Sequence, residues 1–436
     1  MSRRESFVAA AAFGGYALLG RLAAPLVHRY LRRRLAQGRE EAGRLGERLG
    51  DAGVARPAGP LVWIHGASVG EAQSALPLIE RLRRDWPQVT VLMTSGTVTS
   101  AKLMGERLPA GAIHQYVPVD LPHAVAAFLA HWRPDVGLII ESEFWPNLLR
   151  GAAARGTRLA LLNGRVSADS YRGWGRAKPI IEELLGCFAL ITARSPEDRD
   201  RLLGLGAHPV LSLGDLKAAA PPLMADAAAL AHLQAQLEGR PRWLAASTHP
   251  GEERIAGETQ RALRGRLPGL VTLLAPRHPH RAGSIRRELE GLGLTVAQRS
   301  RGEAIAPATD VYLADSIGEL GLWYRLAEVV FVGGSLVAHG GQNLLEPAKL
   351  GCAIVAGPHT ANFARLAAEL TDAGALRQVG GPAALTAAVA DLLAQPAERG
   401  AMAAAARDYA AAQAGVLDRI MAALKPLLQE ASGRAG

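Results

Sequence analysis

Short apolar runs alternate with helical patterns through most of the chain, and this alternation constrains the fold more than any other feature. Residues 61–64 form an apolar run that is followed by a glycine-containing turn and by apolar residues at helical spacing up to Leu82. The runs at residues 136–140 and 329–332 are bounded by turn residues in the same way. Such runs are typical of buried strands, and strands joined by helices form parallel sheets. The sequence therefore predicts a doubly wound α/β fold.

The length of the chain and the recurrence of this pattern predict more than one domain. A chain of 436 residues is too long for one ordinary hydrophobic core. An Ala- and Pro-rich stretch at residues 218–225 separates two series of strand and helix patterns. We therefore predict a membrane anchor with a basic flank at residues 1–36, one domain at residues 37–217 and a second domain at residues 218–436.

The amino terminus carries an apolar segment between clusters of arginine. Residues 7–20 are apolar, and after Arg21 the apolar character continues to Val27, with arginines at positions 3, 4 and 32–34. A membrane-spanning helix needs about 20 mostly apolar residues, so this segment is predicted either to span a bilayer or to lie in its interface. The arginines that follow it predict a cytoplasmic body. A buried helix and a cleaved signal peptide are the alternatives.

Charge and composition restrict the partners and the compartment. The net charge is +9. The pI of about 10.0 suits nucleic acid, an anionic membrane surface or a phosphorylated substrate. Aromatic residues make up only 5% of the chain and are not interleaved with basic ones, so nucleic acid is not a predicted partner. Cys187 and Cys352 lie in apolar contexts, which favours a reducing, cytoplasmic compartment.

Glu71 lies at the start of the helix that follows the first apolar run. In an open α/β sheet, ligands bind at the carboxyl ends of the strands, where this glutamate is predicted to lie. The sequence Ser68-Val-Gly-Glu71 also has the spacing of a capping box, in which both side chains satisfy N–H groups of a helix start. Considered alone, the motif favours the cap over a catalytic carboxylate.

A second pair of carboxylates follows a later strand of the first domain. Glu141 and Glu143 come directly after the apolar run 136–140. Acidic residues are common at helix starts because of the helix dipole, but Trp145-Pro146 separates these two from the next helical pattern. The position of both carboxylates at a strand end therefore favours a role at the ligand-binding edge of the sheet.

The second half of the chain carries groups suited to a nucleotide. Arg277 and His278 follow a strand pattern, and a guanidinium at such a position complements a phosphate. Glycines at 333–334 and 340–341 allow close approach of the backbone to a ligand, and Glu346 can accept hydrogen bonds from ribose hydroxyls. We therefore predict a nucleotide-linked donor in the second domain and an acceptor in the first.

Several common nucleotide and metal motifs are missing from the sequence. It contains no Walker loop and no Gly-x-Gly-x-x-Gly after the first strand, which disfavours ATP-driven and NAD-dependent chemistry. His278-x-His280 has no further ligand at motif spacing, so no metal is predicted. Glycosyl transfer can proceed without one if a base removes the acceptor proton and basic groups stabilise the leaving phosphate.

Seven motifs together resemble the 3-deoxy-D-manno-octulosonic acid (Kdo) transferases of lipopolysaccharide assembly, and the resemblance covers nearly the whole chain. In chain order they are Ser68-Val-Gly-Glu71, Glu141-Ser-Glu-Phe-Trp-Pro-Asn147, Asn163-Gly-Arg165-Val-Ser167, Gly214-Asp-Leu-Lys217, Pro276-Arg277-His278-Pro279, Gly318-Glu319-Leu320 and Gly341-Gln-Asn343-Leu-Leu-Glu346-Pro347. The resemblance implies a GT-B fold, in which two Rossmann-like domains face a cleft. It also implies transfer of Kdo from CMP-Kdo to a lipid A precursor, with inversion and without a metal or other cofactor. The expected location is the cytoplasmic face of the bacterial inner membrane, because the acceptor is an anionic membrane lipid.

The resemblance also assigns roles to particular residues. Glu71 would be the general base that deprotonates the 6′-hydroxyl of the acceptor, lipid IVA, and Glu141 and Lys217 would stabilise the transition state. Glu143 leaves the choice of the second acid open. The residues that would hold CMP are Pro276, Arg277, Ile317, Gly318, Glu319, Asn343, Leu344, Leu345 and Glu346. Gln342 departs from the histidine expected in many relatives, but an amide can also donate and accept hydrogen bonds.

Two alternatives remain from the sequence. The first is another GT-B enzyme that uses a UDP-linked sugar. The second is a non-catalytic protein that binds a membrane surface, which the many polar residues at strand ends disfavour.

Overall fold

The computed structural model describes residues 3–433, with side chains from residue 7 onward. The chain divides into two compact units, Met1–Ala220 with Gln413–Gly436 and Pro221–Ala412. The strands are β1 Leu61–His65, β2 Thr90–Ser95, β3 Ala112–Tyr116, β4 Val136–Ile140, β5 Arg158–Gly164, β6 Phe188–Ala193, β7 Val210–Ser212, β8 Arg242–Thr248, β9 Val271–Pro276, β10 Val296–Gln298, β11 Val311–Leu313, β12 Val329–Val332, β13 Ala353–Ala356 and β14 Leu376–Gln378.

The α-helices connect and cover these strands. They are α1 Arg3–Ala36, α2 Val69–Asp85, α3 Val98–Arg107, α4 Pro122–Trp132, α5 Pro146–Ala154, α6 Ala168–Gly175, α7 Lys178–Leu185, α8 Pro196–Gly204, α9 Ala227–Gln236, α10 Glu252–Leu263, α11 Ala282–Gly291, α12 Leu320–Leu326, α13 Leu345–Lys349, α14 Ala364–Asp372, α15 Pro382–Ala394, α16 Pro396–Ala414 and α17 Val416–Gly433.

The first unit is built on a sheet of seven strands in the order β3-β2-β1-β4-β5-β6-β7. All neighbouring strands are parallel. Leu61 and Trp63 pack into the core on one face of β1, and Val62 and Ile64 pack into the core on the other. Because helices cover both faces, the strand is apolar throughout rather than alternating. The strand order reverses between β1 and β4, which is where such sheets bind ligands.

The second unit repeats this architecture in another order, β10-β11-β9-β8-β12-β13-β14, again with parallel neighbours. Its order reverses between β8 and β12. The predicted α/β fold with two parallel doubly wound sheets is therefore confirmed. Two of the edge strands, β10 and β14, were not expected from the sequence, because their segments Val296-Ala-Gln298 and Leu376-Arg-Gln378 are not apolar runs.

The predicted second domain, residues 218–436, differs from the structure at its end. Helix α17 returns to the first unit, where Val416, Ile420, Leu424 and Leu428 pack into the core that contains Val62 of β1. These residues form one apolar helical face at spacings of four. An apolar face shows that a helix is buried but not which of two sheets buries it, so the sequence could not place α17.

The predicted anchor is attached to the first unit. On α1, Phe13 and Leu31 are buried, and the helix contacts α4, α5 and α7. An apolar stripe stays exposed along the same helix, at Leu18, Leu19, Leu22, Leu26 and Tyr30. By length and composition, the segment Phe7–Ala36 is sufficient to cross a membrane.

The charged segment after α1 is not an open linker. A 3-10 helix covers Ala42–Leu49, and within it Arg48 is buried and bonds through Nε to Glu40 Oε2 at 3.0 Å. Glu47 accepts the backbone N–H of Tyr116 at 2.7 Å. These charges are paired inside the unit, so they tie the segment to the β3 edge of the sheet.

Candidate functional site

Glu71 lies in the first turn of α2, just beyond the carboxyl end of β1, and is 9% exposed. Its Oε2 accepts the Ala67 N–H at 2.7 Å, and its Oε1 accepts the Ser68 hydroxyl at 2.7 Å. The Ser68 Oγ in turn accepts the Glu71 N–H at 3.3 Å. The capping arrangement expected from the sequence is therefore present. Its consequence is that the carboxylate is held in one orientation at the ligand-binding edge of the sheet.

Glu141 begins the loop that follows β4, the strand next to β1. Its backbone is left-handed, with φ of 64°, which non-glycine residues seldom adopt. Its Oε1 lies 2.7 Å from Lys217 Nζ. Lys217 comes from the loop after β7 and remains 45% exposed at the side chain. The structure thus brings together two of the predicted residues that are 76 positions apart.

Asn163 helps to hold the lysine loop. Asn163 is the second-last residue of β5, has a φ of 57° and accepts the Leu216 N–H at 2.9 Å through Oδ1. Leu216 is buried and directly precedes Lys217. Two adjacent strand ends, those of β4 and β5, therefore use left-handed non-glycine residues, a form of strain that concentrates at functional sites.

Glu143 has different partners from Glu141. Its Oε2 accepts the Trp145 indole N–H at 2.6 Å and lies 4.0 Å from Nε2 of His65, the last residue of β1. Burial raises the pKa of the Glu143 carboxyl, and the charges of Glu71 and Glu141 raise it further. Lys217 pairs with Glu141 rather than with Glu143, and the pKa of the Glu143 carboxyl lies above its usual value.

His65 is a buried group at this edge that the sequence analysis missed. It is 1% exposed, its Nδ1 lies 3.0 Å from Thr94 Oγ1, and its Nε2 has no hydrogen-bond partner among the described residues. Burial lowers the pKa of His65 to about 4. Its place as the last residue of β1 was visible in the sequence, but its proximity to Glu143 depends on the pairing of β1 with β4.

The lowered pKa of His65 predicts a pH dependence of stability. The unfolded chain binds a proton at this histidine near pH 6.5 and the folded chain only near pH 4, so stability is lost as pH falls through that window. The loss is up to about 3 kcal/mol, at about 1.4 kcal/mol for each pH unit between the two pKa values. Urea unfolding at pH 7, 5.5 and 4.5 should show that the free energy of unfolding falls less with pH in His65→Gln than in the wild-type protein. An equal fall in the two proteins would contradict this prediction.

In the second unit, Glu252 joins the loops after β8 and β12. It is 1% exposed and accepts four backbone N–H groups. These come from His249 at 2.9 Å, Gly334 at 2.6 Å, Ser335 at 3.0 Å and Leu336 at 2.9 Å. The carboxylate therefore fixes the glycine-containing loop to the β8 end at the reversal point of the sheet. The sequence showed only an acidic residue at a helix start, because three of its four partners lie more than 80 residues away.

Replacing Glu252 by Gln is expected to destabilise the protein by about 3 kcal/mol or more. The amide keeps one acceptor oxygen, but its NH₂ group faces backbone N–H donors that then lack a partner. The measurement is the midpoint of urea unfolding followed by tryptophan fluorescence. Glu258→Gln, on the solvent side of the same helix, is the matched control because Glu258 pairs with Arg254 at the surface. Equal midpoints for the two variants would refute the role of Glu252.

Several of the predicted CMP-binding residues lie at the same edge of the second sheet. Pro276 ends β9 and is buried, whereas Arg277 is exposed and donates its backbone N–H to the Thr248 carbonyl at 3.0 Å. Asn343 donates from Nδ2 to Glu346 Oε1 at 3.1 Å and accepts the Leu345 N–H at 3.0 Å. Burial raises the pKa of Glu346, while the charges of Lys349 and Arg277 oppose this. Arg277 is therefore close enough to Glu346 for their charges to interact.

The other predicted CMP-binding residues offer less side-chain chemistry. Leu344 and Leu345 are buried, at 1% and 9% exposure, so only their backbone groups are available to a ligand. Ile317 is 89% exposed. Gly318 has a φ of 88°. The Glu319 carboxylate is already paired with Arg299 at 2.6 Å, which lowers its pKa.

Histidines gather beside these residues. The rings of His249 and His339 stack with centroids 3.8 Å apart, and Gln342 Nε2 lies 2.9 Å from His249 Nε2. Gln342, the departure noted in the sequence, thus takes part in the local hydrogen bonding. Within residues 3–433, no group of three or more His, Cys, Asp or Glu side chains is arranged to hold a metal ion.

Comparisons with known proteins agree with this architecture. The sequence model of the family described as 3-deoxy-D-manno-octulosonic-acid transferase (kdotransferase) matches residues 43–220. A 3-deoxy-D-manno-octulosonic acid transferase of Bordetella pertussis is 39% identical over 433 residues, which cover 95% of this chain and 99% of that protein. A glycosyltransferase structure from Rickettsia africae has a TM-score of 0.57 at 11% identity, and covers 85% of this chain and 99% of its own. A UDP-GlcNAc 2-epimerase from Neisseria meningitidis has a TM-score of 0.59 at 13% identity, with 84% and 100% coverage, so the likeness in fold does not itself define the reaction.

Two parallel α/β units with charged residues at the carboxyl edges of their sheets define a fold of the GT-B type. The chain belongs to the 3-deoxy-D-manno-octulosonic acid (Kdo) transferase family, since the Bordetella relative matches it over almost its whole length. The family and the enzyme class predicted from the sequence motifs are confirmed.

Proposed function

We propose that this Kdo transferase moves Kdo from CMP-Kdo to the 6′-hydroxyl of the lipid A precursor lipid IVA, with inversion, in lipopolysaccharide biosynthesis. The observation that carries the proposal is the grouping of Glu71 with the Glu141–Lys217 pair beyond the carboxyl ends of β1 and β4, where the strand order of the first sheet reverses. Membership of the family indicates that the transferred sugar is Kdo, and the carboxylates are suited to activate an acceptor hydroxyl.

Glu71 is the proposed general base. Its carboxylate takes the proton of the acceptor hydroxyl, and the oxygen then forms a bond to the anomeric carbon of Kdo as the bond to the CMP phosphate breaks. A single displacement of this kind inverts the configuration at that carbon. The hydrogen bonds from Ala67 N–H and Ser68 Oγ orient the carboxylate before the hydroxyl arrives. Glu141 and Lys217 are proposed to stabilise the charge that develops in the transition state.

The second unit is proposed to hold CMP. The exposed guanidinium of Arg277 is suited to the phosphate, which takes the electron pair of the breaking bond, and Glu346 is suited to the ribose hydroxyls. Backbone groups of residues 317–319 and 343–346 complete the proposed CMP site. Neutralisation of the leaving phosphate by a guanidinium supports a reaction without a metal cofactor.

The amino-terminal helix supports a location on the cytoplasmic face of the bacterial inner membrane. Because α1 packs along the first unit through Phe13 and Leu31 while Leu22 and Leu26 stay exposed, a helix lying in the interface fits these contacts better than one crossing the bilayer. The arginines of α1 are suited to lipid phosphates. This location would bring the enzyme to a membrane-embedded acceptor.

Incubation of the purified protein with CMP-Kdo and lipid IVA tests the proposal. We expect a Kdo-bearing lipid, and mass spectrometry of the product formed with excess donor also gives the number of Kdo residues added. A matched incubation with UDP-linked sugars should give no product. Transfer from a UDP-sugar but not from CMP-Kdo would replace the proposed donor, and binding of neither nucleotide would favour a non-catalytic membrane protein.

A further inference from the structure

An aromatic pocket lies beside the proposed catalytic carboxylates, and no role has yet been given to it. Its walls include Glu143, Phe144, Trp145, Arg165, Ser170 and Trp174, and its volume is about 280 Å³. All of these residues belong to the first unit. Glu143, which lines the pocket, is the same carboxyl that lies 4.0 Å from His65 and is influenced by the charges of Glu71 and Glu141. The aromatic pocket therefore borders the place where the acceptor hydroxyl must react.

The aromatic rings of the pocket are held in defined orientations by contacts with their neighbours. Phe144 and Trp174 meet edge to face, with centroids 6.3 Å apart at 89°. Trp145 is 44% exposed and is fixed at its polar end by the hydrogen bond from its indole N–H to Glu143. An exposed tryptophan with its indole N–H already satisfied presents an apolar face to a ligand. The C–H faces of sugar rings pack against such surfaces.

Arg165 adds a charge to this apolar surface. Its backbone carbonyl accepts the Ser142 hydroxyl, which fixes the loop after β5 to the loop after β4. The guanidinium of Arg165 has no hydrogen-bond or ion-pair partner within residues 7–433, and the residue is exposed. A guanidinium offers a planar set of N–H donors that matches the oxygens of a phosphate.

These features select one class of ligand. The volume is just below about 300 Å³, where the range for small-molecule sites begins, so the aromatic pocket suits one sugar ring rather than a whole glycolipid. An acyl chain would satisfy the aromatic walls but would leave the guanidinium of Arg165 facing hydrocarbon. A phosphorylated sugar ring satisfies both kinds of group.

We propose that the aromatic pocket is the acceptor-sugar subsite, in which one phosphorylated sugar ring packs against Trp145 and Trp174 and places its phosphate on Arg165. The inference rests on the proposed function, because it takes the acceptor to be a phosphorylated glycolipid. It adds a specificity-determining residue, since Arg165 selects acceptors whose reacting sugar carries a phosphate.

The test compares two acceptors, lipid IVA and lipid IVA lacking the 4′-phosphate, with wild-type protein, Arg165→Gln and Trp174→Leu. Arg165→Gln is expected to raise KM for lipid IVA by about 10- to 100-fold, the loss of a charge-assisted contact, and to change KM for the dephosphorylated acceptor little. Trp174→Leu is expected to raise KM for both acceptors. Arg176→Gln is the matched control, because Arg176 is an exposed arginine that does not line the aromatic pocket. CMP binding, measured by calorimetry, should be the same in all four proteins, which also shows that they are folded.

The outcomes separate the subsite from the proposed function. Transfer by the wild-type protein together with equal effects of Arg165→Gln on both acceptors would overturn the subsite and leave the proposed function standing. The same conclusion would follow if Arg165→Gln behaved like Arg176→Gln. Absence of transfer to either acceptor by wild-type protein that binds CMP would overturn both.

Discussion

Replacement of Glu71 by Gln is expected to lower kcat for Kdo transfer by about 10²- to 10⁴-fold, the usual contribution of a general base. The amide cannot take a proton from the acceptor hydroxyl. It retains the shape of the carboxylate, and its oxygen can still accept the Ala67 N–H, so the start of α2 should stay folded. The measurement is the initial rate with saturating CMP-Kdo and lipid IVA, together with thermal unfolding of both proteins.

The matched control for Glu71→Gln is Glu80→Gln on the same helix. Glu80 is exposed and lies about two and a half turns further along α2, so loss of its charge should leave kcat within about twofold of wild type. Near-normal turnover in Glu71→Gln would mean that the hydrogen bonds to Ala67 and Ser68 are the whole role of this carboxylate. Equal losses in the two variants would point to a general effect of removing a negative charge from the helix.

Replacement of Glu141 by Gly is expected to separate activity from stability. Glycine adopts a φ of 64° without the steric penalty of a side chain, which is about 1 kcal/mol, whereas the lost pair with the half-exposed Lys217 is worth about 0–1 kcal/mol. Stability should therefore be unchanged or higher by up to about 1 kcal/mol. The kcat should fall by about 10²-fold or more, because a group that orients the transition-state charge is gone. Urea unfolding and steady-state kinetics measure the two effects.

Arg133→Gly is the matched control for the relief of backbone strain. Arg133 is also left-handed, with φ of 41°, but ends α4 at the surface, so its replacement should relieve strain without changing kcat.

Glu143→Gln distinguishes the two acids, because an amide resembles the protonated carboxyl that burial favours at Glu143. A larger loss of kcat in Glu143→Gln than in Glu141→Gly would make Glu143 the second catalytic acid.

The architecture could be predicted because it depends on local patterns. The apolar run 61–64 and the helical spacing that follows it are visible without knowledge of any other segment, and β1 and α2 lie where that pattern indicated. The same local information placed Glu71 and Glu141 at strand ends. It failed for α17, since several surfaces can bury the same apolar helical face.

The candidate site was predicted only as a set of residues. The sequence left open whether Glu141 or Glu143 is the second catalytic acid. It also could not show that Lys217 contacts Glu141, because that contact depends on the left-handed backbone at Glu141 and on the path of the loop after β7. It also gave no sign that Leu344 and Leu345 offer only backbone groups, since burial of a side chain depends on its neighbours in space.

The sequence by itself determined the alternation of strands and helices, the family and the residues that lie at strand ends, because periodicity and motifs are properties of nearby residues. Only the tertiary structure decided which of these residues meet. Because β1 and β4 are neighbours in the sheet, Glu71 lies at the same edge as the Glu141–Lys217 pair. Buried hydrogen bonds connect Glu252 to a loop more than 80 residues away. The aromatic pocket around Arg165 likewise exists only because the loops after β4 and β5 lie side by side, as the pairing of those two strands requires.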